Sequence, residues 1–147
     1  MNLTKGFKAV LFILAISWVT FAQGEETPVC SNSILDGDYA ITISGEIVGV
    51  GPVSVVGIAT FDGSGNITNN VGHIVVNGVQ PPIDWLTGTG TYVVNANCTG
   101  KIHLVFDNGL TRDIFIVVAR KGHELRGVNA EPGFNAISNR TYARHLS

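Results

Sequence analysis

The sequence predicts an all-β domain, an eight-stranded antiparallel up-and-down barrel behind an N-terminal signal peptide. Three observations carry this expectation. Beyond Ser33 the chain is rich in Gly, Val, Ile, Thr and Asn, and no window repeats its apolar residues at helical spacing. Short runs of β-branched and aromatic residues are separated by "DGSGN", "NCTG", "DNGL", "RKGH" and "EPGF", which supply the Asp-Gly, Asn-Gly and Pro-Gly chemistry of tight turns. Short turns imply hairpins between neighbours, and closing such a meander removes both exposed edges, which favours a barrel over a sandwich.

The elements follow in order. Lys5 and Lys8 precede the unbroken apolar run "AVLFILAISWVTF", which ends beside small Thr20 and Ala22, the three-part pattern of a secretory signal peptide. Cleavage is expected after Ala22. The run is shorter than the ~20 residues a spanning helix needs, so no membrane association is expected after cleavage. Residues 23–33 then form an N-terminal segment and residues 34–145 the barrel. Loss of 1–22 leaves seven basic side chains against eleven acidic, a net charge of −4. Nucleic acid and anionic membranes bind through basic faces, so neither suits this chain as a partner.

The expected strands are 38–45, 53–62, 66–76, 88–95, 101–107, 111–120, 123–130 and 134–144. In the first, Tyr39, Ile41 and Ile43 alternate with Ala40, Thr42 and Ser44, so the tyrosine face points inward. Between the third and fourth, "NGVQPPIDWLT" is excluded from a central strand by Pro81 and Pro82, and Trp85 suits it to cover one mouth as a lid. The sixth is apolar on both faces, with Ile114, Ile116 and Val118 on one and Phe115 and Val117 on the other. A second subunit or the N-terminal segment would cover the outer set, so a homo-oligomer is one reading and a monomer with a few exposed aliphatics the other. In the last strand, a glycan on Asn139 would turn Arg140 and Tyr142 inward.

The chain lacks a nucleophile elbow, a His-Glu-x-x-His helix, a phosphate-cradling loop and paired-cysteine metal spacing, so neither metal nor cofactor is expected. "DGSGNI" from Asp62 reads as a hairpin turn, because the bidentate glutamate of a calcium loop does not follow it. His73, His103, His123 and His145 are scattered. Glu124 and Arg126 share one face of the seventh strand, and Arg140 and Arg144 one face of the eighth. Either these charges pair internally, where an Arg needs a carboxylate or a ligand oxygen, or they form surface pairs worth little. Tyr39, Phe61, Trp85, Tyr92 and Tyr142 either fill a core or line an apolar ligand site.

Two cysteines in an oxidising compartment imply one disulfide, Cys30 to Cys98, fastening the N-terminal segment across one end of the barrel. Three sequons, at Asn66, Asn97 and Asn139, are acceptors if the host glycosylates its secreted proteins.

In "LDGDYAITISGEIVG", "GTGTYVVNANCTGKIHLVF" and "HELRGVNAEPGFNAISNRTYAR" the chain resembles a broad set of small secreted proteins with a Leu-x-Gly-x-Tyr start, a "GTYTVNxDCTG" hairpin and a Pro-Gly turn before a basic last strand. The resemblance spans about residues 34–144 and is similar in kind to the allene-oxide-cyclase-like or lipocalin-like barrels. That barrel type is shared with dirigent proteins and with cyclases and Diels-Alderases of natural-product pathways. It implies a cofactor-free cyclase or isomerase acting on an apolar intermediate in the lumen, with Tyr39, His73 or Arg140 polarising a carbonyl. The residues expected to line the lumen are Tyr39, Phe61, His73, Trp85, Tyr92, Arg126, Arg140 and Tyr142. The alternative is a non-catalytic secreted carrier of an apolar small molecule.

Overall fold

Asp36–Ile47 (β1) and Gly51–Asp62 (β2) pair along their whole length, from Asp36 opposite Asp62 to Ile47 opposite Gly51. The hairpin is longer than expected because Pro52 is accommodated near the start of β2, where a missing N–H is tolerated. Asn66–Val76 (β3), Leu86–Val94 (β4), Thr99–Phe106 (β5), Thr111–Ala119 (β6) and Glu124–Asn129 (β7) follow, each antiparallel to the strand before it. These seven strands form one curled sheet. The four-residue Thr141–Arg144 (β8) pairs with both β7 and β1, so the pairing order runs round from β1 to β8 and back. The structure, a computed structural model, describes residues 29–129 and the backbone of 141–144. The expected signal peptide, residues 23–28, residues 134–140 of the last expected strand, Asn139 and Arg140 lie outside the described residues.

Burial alternates along the strands as the period of two requires. On β1, Tyr39 and Ile41 are buried while Ala40, Thr42 and Ser44 are exposed, so the tyrosine face is the inner one. Following the ladders from Tyr39 places Val53, Val55, Ala59 and Phe61 on that face from β2. Tyr92 and Val94 from β4, Ile102 and Leu104 from β5, Ile114, Ile116 and Val118 from β6 and Leu125 from β7 join them in the core.

The curl needs glycine where strands bend over one another. A Cβ on Gly88 of β4 would lie 2.4 Å from the Val105 carbonyl oxygen, so only a residue without a side chain lets β5 come this close.

Strand β3 carries a β-bulge. Phe61 faces Ile67 while Thr60 faces Asn69, and on the other side Ile67 faces Gly90 while Asn70 faces Gly88. One extra residue is therefore inserted between Ile67 and Asn70. Past the bulge the face inverts: Asn70, Gly72, Ile74 and Val76 lie opposite inner residues, and Val71, His73 and Val75 turn outward.

One end of the sheet is sealed by residues 30–35. Cys30 and Cys98 are disulfide-bonded with their Cα atoms 5.0 Å apart, as expected from the cysteine count. The Cys30 N–H donates to the Ala96 carbonyl at 3.2 Å. The Val94 N–H donates to Asn32 Oδ1 at 2.7 Å, and Leu35 is fully buried. Arg120, Lys121 and Gly122 run consecutively through the left-handed region and carry the chain against this plug. A Cβ on Gly122 would sit 2.1 Å from the Ile34 carbonyl oxygen, and the Gly122 carbonyl accepts the Tyr39 hydroxyl at 2.6 Å.

Candidate ligand-binding site

The inner face divides into a filled half and an accessible half. Next to the plug, Tyr39, Phe61 and Tyr92 stack edge to face, with ring centroids 5.0 and 5.1 Å apart. Ile67, Ile102, Ile114 and Leu125 close around them, all buried. Both phenols are engaged. Tyr39 donates to Gly122, and Tyr92 Oη lies 2.9 Å from the Leu35 carbonyl and 3.1 Å from that of Asn32. Burial pushes the Tyr92 phenol above its usual range. These three residues, expected to line a ligand site, are core, and the reason is the plug packed beneath them.

Toward the other end, where the turns 47–51, 76–86 and 106–111 lie, Val53 is buried but most inner-face residues keep partial exposure. They are Ile43 and Ile47 from β1, Val55 from β2, Ile74 and Val76 from β3, Leu86 from β4 and Phe106 from β5. These inward-pointing apolar side chains, still reached by water, make this half of the inner face an accessible apolar surface. Arg112 of β6 lies opposite inner-face Leu104 near this rim, with one guanidinium N–H donated to the Thr111 carbonyl at 2.7 Å.

Between the two halves stands Asn70. It is 4% exposed and is the buried polar residue of the core. Its neighbours across the ladder are Ala59 and Gly88, and Gly72 follows it on the same face. Its side-chain amide makes no hydrogen bond among the described residues. Leaving a buried amide unpaired costs roughly 1–3 kcal/mol. Sequence reasoning passed over this residue, although two asparagines inside an apolar strand, "NITNNVGHIVV", are a signal in themselves because asparagine is disfavoured in strands.

Several expected lining residues face away. His73 lies opposite exposed Val56 on the outer wall, because the bulge inverts β3. Its Nδ1 is hydrogen-bonded to the Asp84 carbonyl, and its ring meets that of Trp85 edge on, with centroids 5.6 Å apart. Trp85 is 54% exposed against this outer wall, so the 77–85 loop does not act as a lid through Trp85. Arg126 is also outside: its side chain is 70% exposed, and it pairs with Glu124 at 2.7 Å, as Arg120 does at 3.2 Å. Among the described residues these charges form an exposed cluster along β7 and the turn before it, and the side chain of Arg144 lies outside them. Arg140 lies outside the described residues, and of Tyr142 only the backbone pairing with Ile41 and Leu125 is described.

The outer wall carries a second polar cluster. Thr91, His103 and Asp113 are neighbours across β4, β5 and β6. Asp113 receives the His103 Nδ1 at 2.7 Å and the Lys101 ammonium at 3.0 Å. The His103 hydrogen bond first, and then that from Lys101, hold the Asp113 carboxyl below its usual range. With Val93 these residues line a shallow surface pocket of 220 Å³. In "DGSGN", Asp62 accepts from the Asn66 amide at 2.6 Å and from the Asn66 and Ser64 N–H groups at 2.9 and 2.7 Å, which lowers its carboxyl in turn. This is a closed hairpin turn. No three His, Cys, Asp or Glu side chains gather as a metal site among the described residues. The sequon asparagines Asn66 and Asn97 are exposed. Compared with known proteins, the chain matches no protein-family model, no curated protein and no solved structure.

Proposed function

We propose that the protein is a secreted carrier of an apolar small molecule, a closed eight-stranded barrel that holds its ligand on the accessible half of the inner face. The observation that supports this reading is the set of inward-facing, partly exposed apolar residues, Ile43, Val55, Ile74, Leu86 and Phe106, above a fully packed floor. A barrel of eight strands is wide enough for one small ligand once part of its interior is left unfilled. Cyclase chemistry has less to draw on, since the Tyr39 hydroxyl is bound to a backbone carbonyl and His73 stands on the outer wall. The same proposal includes cleavage of the signal peptide after Ala22, glycans on Asn66 and Asn97, and kinship with the allene-oxide-cyclase-like or lipocalin-like barrels.

Self-association belongs with it, supported by the exposed apolar patch of Val93, Phe115, Val117 and Val128 on the outer wall. Phe115 alone is 56% exposed. Sedimentation velocity on the purified protein tests this, and a monomer at all concentrations would exclude it.

Ligand binding is measured with phenylnaphthylamine, a neutral apolar fluorophore. Saturable one-to-one enhancement, abolished by Val55→Trp and Ile74→Trp, is the expected result. Absence of saturable binding rejects the carrier reading, and recovery of a chemically altered apolar ligand would turn it into an enzyme.

A further inference from the structure

The apolar inner face does not account for Asn70. A leucine, branched at the same carbon, would occupy that position without stranding an amide, yet the strand is bulged so that asparagine points inward. A bulge of this kind re-aims a side chain, and such bulges cluster beside functional sites. Its nearest positions on the sheet are small: Ala59 and Gly88 flank it across the ladders and Gly72 follows it on the same face, so the largest side chain among these three is a methyl.

We propose that Asn70 is the polar anchor of the inner-face site, and that the ligand is an apolar molecule carrying one neutral group that both donates and accepts hydrogen bonds, a hydroxyl or a carboxamide. The proposal rests on the carrier reading. A primary amide presents two N–H donors and a carbonyl acceptor, so a hydroxyl satisfies it in both directions at once. The ladder neighbours of Asn70 carry no charge, and a charged head group placed there would lose its hydration without gaining a counter-ion. Arg112, the charged side chain that the ladder puts on the inner face among the described residues, lies toward the rim and is already bonded to Thr111. A site with a buried hydrogen-bonding group discriminates strongly against an analogue that lacks the partner.

The experiment is a nuclear magnetic resonance titration of the disulfide-bonded protein with octanol and with chlorooctane, which match in length and differ in the head group. Octanol should move the side-chain NH₂ signals of Asn70 to a saturated position, and chlorooctane should not. The octanol-to-chlorooctane affinity ratio should fall about tenfold in Asn70→Leu, which corresponds to about 1.4 kcal/mol. Unchanged ratios with both compounds still bound would overturn the anchor while sparing the carrier reading. Failure of both compounds to bind the unaltered protein would remove both readings. Should Asn70→Leu not fold, the response of the Asn70 signals decides: if they stay fixed while octanol saturates, the amide serves an internal water and the proposal is wrong.

Discussion

Asp113 shows how much of a residue's behaviour is set by two neighbours on one strand. Its carboxylate is favoured in the folded state by His103 and Lys101, two residues apart on the outer face of β5. The sign follows: a carboxyl lowered on folding contributes stability above its ordinary pKa of 3.8, and loses that contribution as pH falls through the lower folded value. Carboxyl carbon titration should place the Asp113 midpoint below 3.8 in the native protein and return it upward in His103→Ala. An unchanged midpoint in that variant would mean that Lys101 alone supplies the effect. Tyr39 makes the opposite kind of contribution. It was legible from β1 as an inward residue, but its hydroxyl could not be assigned from the sequence, because its partner Gly122 lies 83 residues away.

Among elements, β3 separates what could be read locally from what could not. Strand existence and turn positions were legible because Asp-Gly and Asn-Gly chemistry acts within four or five residues, and seven strands begin and end close to where those signals lie. The bulge between Ile67 and Asn70 has no such local signature. It arises from pairing with β2 on one side and β4 on the other, and a single inserted residue moves His73 outward and Asn70 inward. Trp85 went astray with it, since the wall against which it packs is the one bearing His73. The curl of β4 makes a quantitative expectation at this scale. Gly88→Ala puts a methyl 2.4 Å from the Val105 oxygen, and the strands must part to admit it. Urea unfolding should show a loss of about 1–3 kcal/mol, the range of overpacking substitutions. A midpoint equal to that of the unaltered protein would show that β5 has room to yield.

For the whole molecule, the division into a sealed end and an accessible end matters most. The cysteine count made the Cys30–Cys98 bond legible, and the N-terminal segment was expected to be fastened there. How completely it plugs the barrel was not visible, because that depends on Asn32, Leu35 and Gly122 meeting in three dimensions. Cys30→Ser should cost about 4 kcal/mol in the chain-entropy picture of a bridge that spans 68 residues. Thermal melting should register this as a lower midpoint, with apolar binding at the far end preserved. An unaltered midpoint would show that the backbone and side-chain bonds of the plug suffice.

The order in which the chain is made adds a consequence to that plug. Residues 30–35 are synthesised before every strand, yet their partners Val94, Ala96 and Cys98 come some sixty residues later, and Gly122 later again. The first part of the domain to emerge therefore stays without its contacts through most of synthesis, and the floor of the barrel is assembled near the end. Contacts this distant along the chain are slow to form, because the closure of long loops precedes any gain from them. The thiol of Cys30 is accordingly the one that has to wait.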